Sequence, residues 1–100
     1  MMRDNELLHP QHSSSKYVFT LYVAGHSARS LWMISFVRGL FEARFHGDYD
    51  LRVVDVYQYP HAADDANVMA IPTLIKHQPV PACKQVGYSI DLDYFTASLS

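Results

Sequence analysis

Apolar and polar positions divide the chain sharply near residue 16. Residues 1–15 carry no sustained period, include Pro10 and end in His12-Ser13-Ser14-Ser15, which predicts a flexible leader ahead of one domain over 16–100. Tyr17-Val18-Phe19-Thr20-Leu21-Tyr22-Val23-Ala24 is then an unbroken run of β-branched and aromatic residues closed by Gly25. Such a run suits a central strand covered on both faces. Leu51-Arg52-Val53-Val54-Asp55-Val56-Tyr57 has the same character and stops at Pro60. Between the two runs, Ser27 is placed to cap a helix whose apolar residues recur at Leu31, Ile34, Val37, Phe41 and Phe45, with Gly47 as its stop. Trp32, Met33, Phe36 and Leu40 widen that stripe, which predicts a second covering from another subunit or partner. Strand, helix and strand in this order make a βαβ unit.

After Pro60 the signals are shorter. His61 to Ala70 predicts a short helix with Asp64 and Asp65 in its early turns. Ile71-Pro72-Thr73-Leu74-Ile75 reads as a strand led by a proline, which lacks a ladder donor and therefore belongs at a strand start or in a cis bend. Ala82 to Val86 reads as a strand pairing back on Thr73 to Lys76 and ended by Gly87, and Asp91 as the cap of a final helix. The resulting order, βαβαββα, is the α/β order of the thioredoxin fold.

Chemistry narrows the possibilities. A thioredoxin-type redox site needs a thiolate at the start of the first helix, where the helix dipole and free amides stabilise the anion. Gly25-His26-Ser27-Ala28-Arg29-Ser30 holds no cysteine there, and the single Cys83 lies far along the chain. A redox role through this lone cysteine is the alternative left open. The histidines are scattered without metal-ligand spacing, so no metal and no cofactor is expected. Ser27 and Ser30 beside His26 fit helix capping better than a hydrolase nucleophile. Asp55, set among valines, fits a role in securing a helix or loop. A net charge of −2 gives no basic footprint for nucleic acid. No apolar run approaches the roughly 20 residues needed to span a bilayer, and with one cysteine and no signal segment the expected location is the cytoplasm.

The blocks Leu21-Tyr22-Val23-Ala24-Gly25, Val53-Val54-Asp55-Val56, Pro60 and Ala70-Ile71-Pro72-Thr73-Leu74 resemble, in register from about Lys16 to Gly87, the KaiB family of circadian-clock proteins and their bacterial relatives. The resemblance implies a regulatory binding protein with no active site, acting in circadian or stress signalling on a KaiC-like hexameric ATPase built of RecA-type rings. It also implies two accessible arrangements of the second half, one thioredoxin-like and one belonging to an unbound, ground-state oligomer. By resemblance, Arg52, Lys76 and Lys84 are partner-binding residues, while Gly25, Asp55, Pro72 and Gly87 are structural. Pro72 would be a cis-proline opposite the first helix, with a trans proline at a strand start as the other reading. The chain departs from the family pattern at Trp32, Gln58 and Cys83, where basic residues are usual, which thins the expected electropositive patch. Trp32, Phe36 and Leu40 are the candidates for a homo-oligomer interface, in a dimer or a tetramer. An excised KaiB-like sensor domain of a histidine kinase is a further alternative.

Overall fold

A computed structural model describes residues 15–97. The leader expected over 1–15 therefore falls, apart from Ser15, outside the described residues. Seven elements follow one another: β1 (Tyr17–Val23), α1 (Ala28–Phe45), β2 (Tyr49–Asp55), α2 (Pro60–Asp65), β3 (Thr73–Gln78), β4 (Cys83–Val86) and α3 (Leu92–Ala97). The four strands form one sheet in the order β2-β1-β3-β4. β1 runs parallel to β2 and antiparallel to β3, and β4 pairs antiparallel with β3. This is the thioredoxin-like arrangement of the two that the family resemblance allows.

Strand alternation sends Phe19, Leu21, Val23, Leu74 and Lys76 to one face of the sheet, and Val18, Thr20, Tyr22, Val54 and Ile75 to the other. On the first face they meet Met33, Val37, Phe41 and Phe45 of α1 and Phe95 of α3 in the main core. Phe19 is its centre, with ring centroids 4.4 Å from Phe41, 5.8 Å from Phe45 and 5.4 Å, edge-on, from Phe95. It is fully buried, so truncation to alanine should cost about 3–5 kcal/mol. A smaller cluster of Tyr22, Val54 and Ile75 is covered on the second face by Ala62, Ala66, Val68 and Ile71.

The phase of α1 differs from the expected one. Its buried residues are Ser30, Met33, Val37, Phe41 and Phe45, and Leu31 is 52 % exposed. At about 100° per residue, Leu31 lies some 120° from Val37, whereas Met33 lies within about 40° of it. Ser27 does cap the helix, accepting the Ser30 amide at 3.1 Å. His46 takes the left-handed conformation at the other end, one residue before Gly47. α2 is also shorter than expected. Pro60 sits in its first turn and the helix closes at Asp65, so Asp64 and Asp65 lie in the last turn, where the helix dipole does not favour them. The second strand begins at Tyr49 and ends at Asp55, two residues earlier at each end than the apolar run. Asp91 caps α3 by accepting the amides of Asp93 and Tyr94.

Candidate functional site

Two regions collect the residues that the sequence singles out. The first is the end of the sheet where β1 leads into α1. Asp55 closes β2, and its Oδ1 accepts the backbone N–H groups of Gly25 at 2.8 Å and Tyr57 at 2.9 Å. These two bonds, led by Gly25, hold the Asp55 carboxyl below the usual carboxylate range, and His26, with Nε2 3.9 Å from Oδ2, adds to the effect. Gly25 has φ +71°, and a Cβ there would stand 3.1 Å from the Tyr57 ring, so both backbone and space call for glycine. Beside this turn a cleft of about 120 Å³ is lined by Val23, Ser27, Ser30, Met33, Pro72 and Tyr88. The Ile71–Pro72 bond is cis, and Arg29 lies over the Tyr88 ring at 5.1 Å. The Ser30 hydroxyl donates to the Ala24 carbonyl at 3.1 Å, and Ser27 is engaged as the cap. Both serines thus serve the turn. The only thiol, Cys83, is in β4 and packs against the main core, away from the start of α1. This placement does not favour the redox alternative. Gly87, φ +103°, donates its amide to the Pro72 carbonyl at 2.9 Å and so ties the end of β4 to the same proline.

The second region is the sheet face that carries α2. Arg52 pairs in register with Thr20, Thr20 with Ile75, and Ile75 with Lys84. Arg52 and Lys84 therefore end a single row across all four strands, roughly 14 Å apart at the usual strand spacing. Lys84 is exposed, and its Nζ donates to the Asn67 carbonyl at 3.1 Å. Arg52 is partly buried and borders a hollow of about 260 Å³ with Val53, Val54, Tyr59 and Ala62. Burial lowers its pKa, and among the described residues its guanidinium has no hydrogen-bond partner. Arg52 also acts on its neighbours. It partly offsets the rise that burial gives the Tyr22 phenol, and it adds to the fall that burial gives His77.

Lys76, expected with these two at a partner surface, lies elsewhere. It follows Ile75 by one residue, so strand alternation turns it to the opposite face. There it is fully buried, and its Nζ donates to the Phe95 carbonyl at 3.2 Å. In this arrangement no partner can reach it. Sequence reasoning also missed His77. The pairing shifts between Val18 and Phe19, which leaves His77 as the unopposed residue of a bulge in β3. Its Nε2 shares a 2.8 Å hydrogen bond with the buried Thr20 hydroxyl. A polar Thr20 inside an apolar run was the available signal.

Of the interface candidates, Trp32 is 53 % exposed and stacks on Phe36 at 4.8 Å, while Phe36 and Leu40 are partly buried against the main core. Among the described residues no helix is long and apolar enough to cross a membrane, and no three His, Cys, Asp or Glu side chains gather as metal ligands.

Residues 20–99 match the KaiB domain. The chain belongs to the KaiB family. It is similar to the circadian clock oscillator protein KaiB1 of Synechocystis sp., 38 % identical over 71 residues that span 71 % of this chain and 68 % of that protein. Against KaiB of Picosynechococcus sp. the figure is 39 % over the same shares. KaiB of Synechococcus elongatus is 35 % identical, over 71 % of this chain and 70 % of its own. Among solved structures, chloroplastic thioredoxin z superposes with a TM-score of 0.67 at 15 % identity, covering 88 % of this chain and 80 % of that one. Mitochondrial thioredoxin 3 of Saccharomyces cerevisiae superposes with a TM-score of 0.62 at 19 % identity, over 76 % and 71 %. At these identities the thioredoxins speak for the fold alone, and within it this KaiB-family chain has serine, not cysteine, at the start of α1.

Proposed function

We propose that this KaiB-family chain is a non-catalytic regulatory binding protein of the cytoplasm, which engages a KaiC-like hexameric ATPase in circadian or stress signalling. The observation that carries the reading is the row from Arg52 to Lys84. Two cations sit at its ends on one sheet face, and the guanidinium of Arg52 is partly desolvated and has no hydrogen-bond partner among the described residues. A carboxylate from a partner would gain a charge-assisted, bidentate contact there. The relatives named as clock oscillator proteins support the clock part of the reading, and the class of partner is what the family resemblance implies. Self-association, as a dimer or a tetramer, is part of the same reading.

Calorimetric titration of the full chain against a purified double-ring ATPase of the KaiC type tests it. A saturable complex is expected, weakened at least tenfold by Arg52→Glu or Lys84→Glu, about the 1.4 kcal/mol that a tenfold change represents. No binding, together with unchanged ATP hydrolysis by the ATPase, would overturn the reading.

A further inference from the structure

The hollow beside Arg52 has the make-up of a small-molecule site. β2 is the outermost strand of the sheet, and strand alternation sets Arg52 and Val54 on the face that α2 covers. Val54 is buried with Tyr22 and Ile75, and Ala62 packs against them, so the inner wall is closed and apolar. Val53, Val54, Tyr59 and Ala62 line the space together with Arg52, and its volume is about 260 Å³. The walls are held in place. The Tyr59 amide donates to the Asp55 carbonyl at 2.9 Å and the Ala62 amide to the Tyr59 carbonyl at 3.1 Å, which ties the start of α2 to the end of β2. Against these walls stands one cation. Arg52 is partly buried, and among the described residues its guanidinium has neither a hydrogen bond nor a carboxylate at ion-pair distance. Asp50, two residues back on the same face, acts on it only at longer range, and Asp65 of α2 is the acid that acts on the neighbouring Tyr22. Burial removes part of the hydration of Arg52, and no group among the described residues replaces it.

We propose that this hollow binds a small free carboxylate with an apolar body, an aryl or branched acyl acid, whose carboxylate pairs with Arg52 while its body lies against Val53, Val54, Tyr59 and Ala62. Ligand sites are mostly apolar with a few placed polar groups, and this one has that composition. A guanidinium matches a carboxylate in a bidentate pair, and it matches a phosphate equally well. The rest of the wall decides between them. Aliphatic side chains offer a sugar or a nucleotide base no hydrogen bonds, whereas they suit a hydrocarbon. Size sets the same limit, because an apolar cavity of about 150 Å³ holds benzene, so about 260 Å³ admits one ring with a short acid-bearing chain. The Asp or Glu side chain of a partner would reach the guanidinium and leave most of that wall bare. Binding of this kind needs no ATPase and goes beyond the proposed function. The two meet at one point, since ligand and partner carboxylate would compete for the same Arg52.

Heteronuclear NMR titration of the full chain with hydrocinnamate, a phenyl ring on a short acid-bearing chain, is the test, with its neutral amide and acetate as comparison probes. Saturable shifts are expected at Arg52, Val53, Val54, Tyr59 and Ala62 and at the Arg52 Nε–H, with half-saturation at about 1 mM or below. The amide and acetate should each bind at least about tenfold more weakly. Arg52→Gln, checked for folding by circular dichroism, should bind acid and amide alike, whereas Ala62→Leu, which fills the hollow, should weaken both. Four results overturn the proposal: no saturable shift, equal binding of acid and amide by the wild type, acetate binding as well as hydrocinnamate, or an acid preference that survives Arg52→Gln. No ATPase is present in these titrations, so their outcome stands apart from that of the partner.

Discussion

Gly25 and Asp55, thirty residues apart, are joined by a 2.8 Å hydrogen bond from the glycine amide to the carboxylate Oδ1. The same oxygen takes the Tyr57 amide, so one side chain fixes the exit of β2 and the entry to α1 together. Asp55→Asn should lower the melting temperature by several degrees at neutral pH, because the amide is a weaker acceptor than the carboxylate. The folded pKa of Asp55 is depressed, so its contribution is complete above the unfolded value of about 3.9 and is lost as the pH falls through the folded value. Melting curves of the wild type and Asp55→Asn from pH 7 down to pH 2 should therefore converge at the acid end. A constant gap would show that the charge of Asp55 is immaterial.

Gly25→Ala acts on the other partner. The new Cβ meets the Tyr57 ring at 3.1 Å and the backbone stays at φ +71°. The left-handed conformation alone costs about 1–2 kcal/mol for a residue with a Cβ. Equilibrium denaturation with urea should show a loss of at least that size. Adding Tyr57→Ala should recover the steric part and leave the backbone part.

His77 sets a second pH dependence. Burial lowers its pKa, and the nearby Arg52 lowers it further. The unfolded chain then binds a proton, near its ordinary value of about 6.5, before the folded chain does, so stability falls as the pH drops through that window. Acidification from pH 7.5 to pH 5 should lower the melting temperature of the wild type more than that of His77→Gln. Equal slopes would remove His77 as the source.

Local chemistry is what the sequence displays most clearly, and the fold was legible wherever local signals agreed. The run from Tyr17 to Ala24 and the strand from Ala82 to Val86 each form one residue shorter than expected, and the Ser27 cap and the pairing with Thr73–Lys76 stand as read. The phase of α1 did not, because apolar residues at Leu31, Trp32, Met33, Ile34, Phe36 and Val37 surround the helix, and only tertiary contact selects Met33 over Leu31. The bulge at His77 and the contact between Gly25 and Asp55 depend on strand pairings over long sequence separations, which no local window contains. Lys76, given as partner-binding by resemblance, is placed by a different feature. Its charge suggests the surface, but its position after Ile75 assigns it to the core face, where its aliphatic stem packs and its ammonium finds the Phe95 carbonyl.

The three basic residues named by resemblance should consequently separate in a paired measurement of stability and binding. Arg52, partly buried, and Lys84, exposed, end one row on the sheet face opposite Lys76, so Arg52→Ala and Lys84→Ala should weaken ATPase binding severalfold while changing urea stability by no more than about 1 and about 0.5 kcal/mol respectively. Lys76 is fully buried between the sheet and α3, with Phe95 beside it. Lys76→Ala removes a long buried stem as well as a hydrogen bond, and by analogy with core truncations it should cost about 2–4 kcal/mol. Its effect on binding, measured at a temperature where the variant is folded, should be smaller than that of either surface variant. Hydrogen exchange locates the damage, with protection lost first in α3 and β3. A Lys76→Ala variant of normal stability with abolished binding would instead mean that the partner meets a conformation in which Lys76 has left the core.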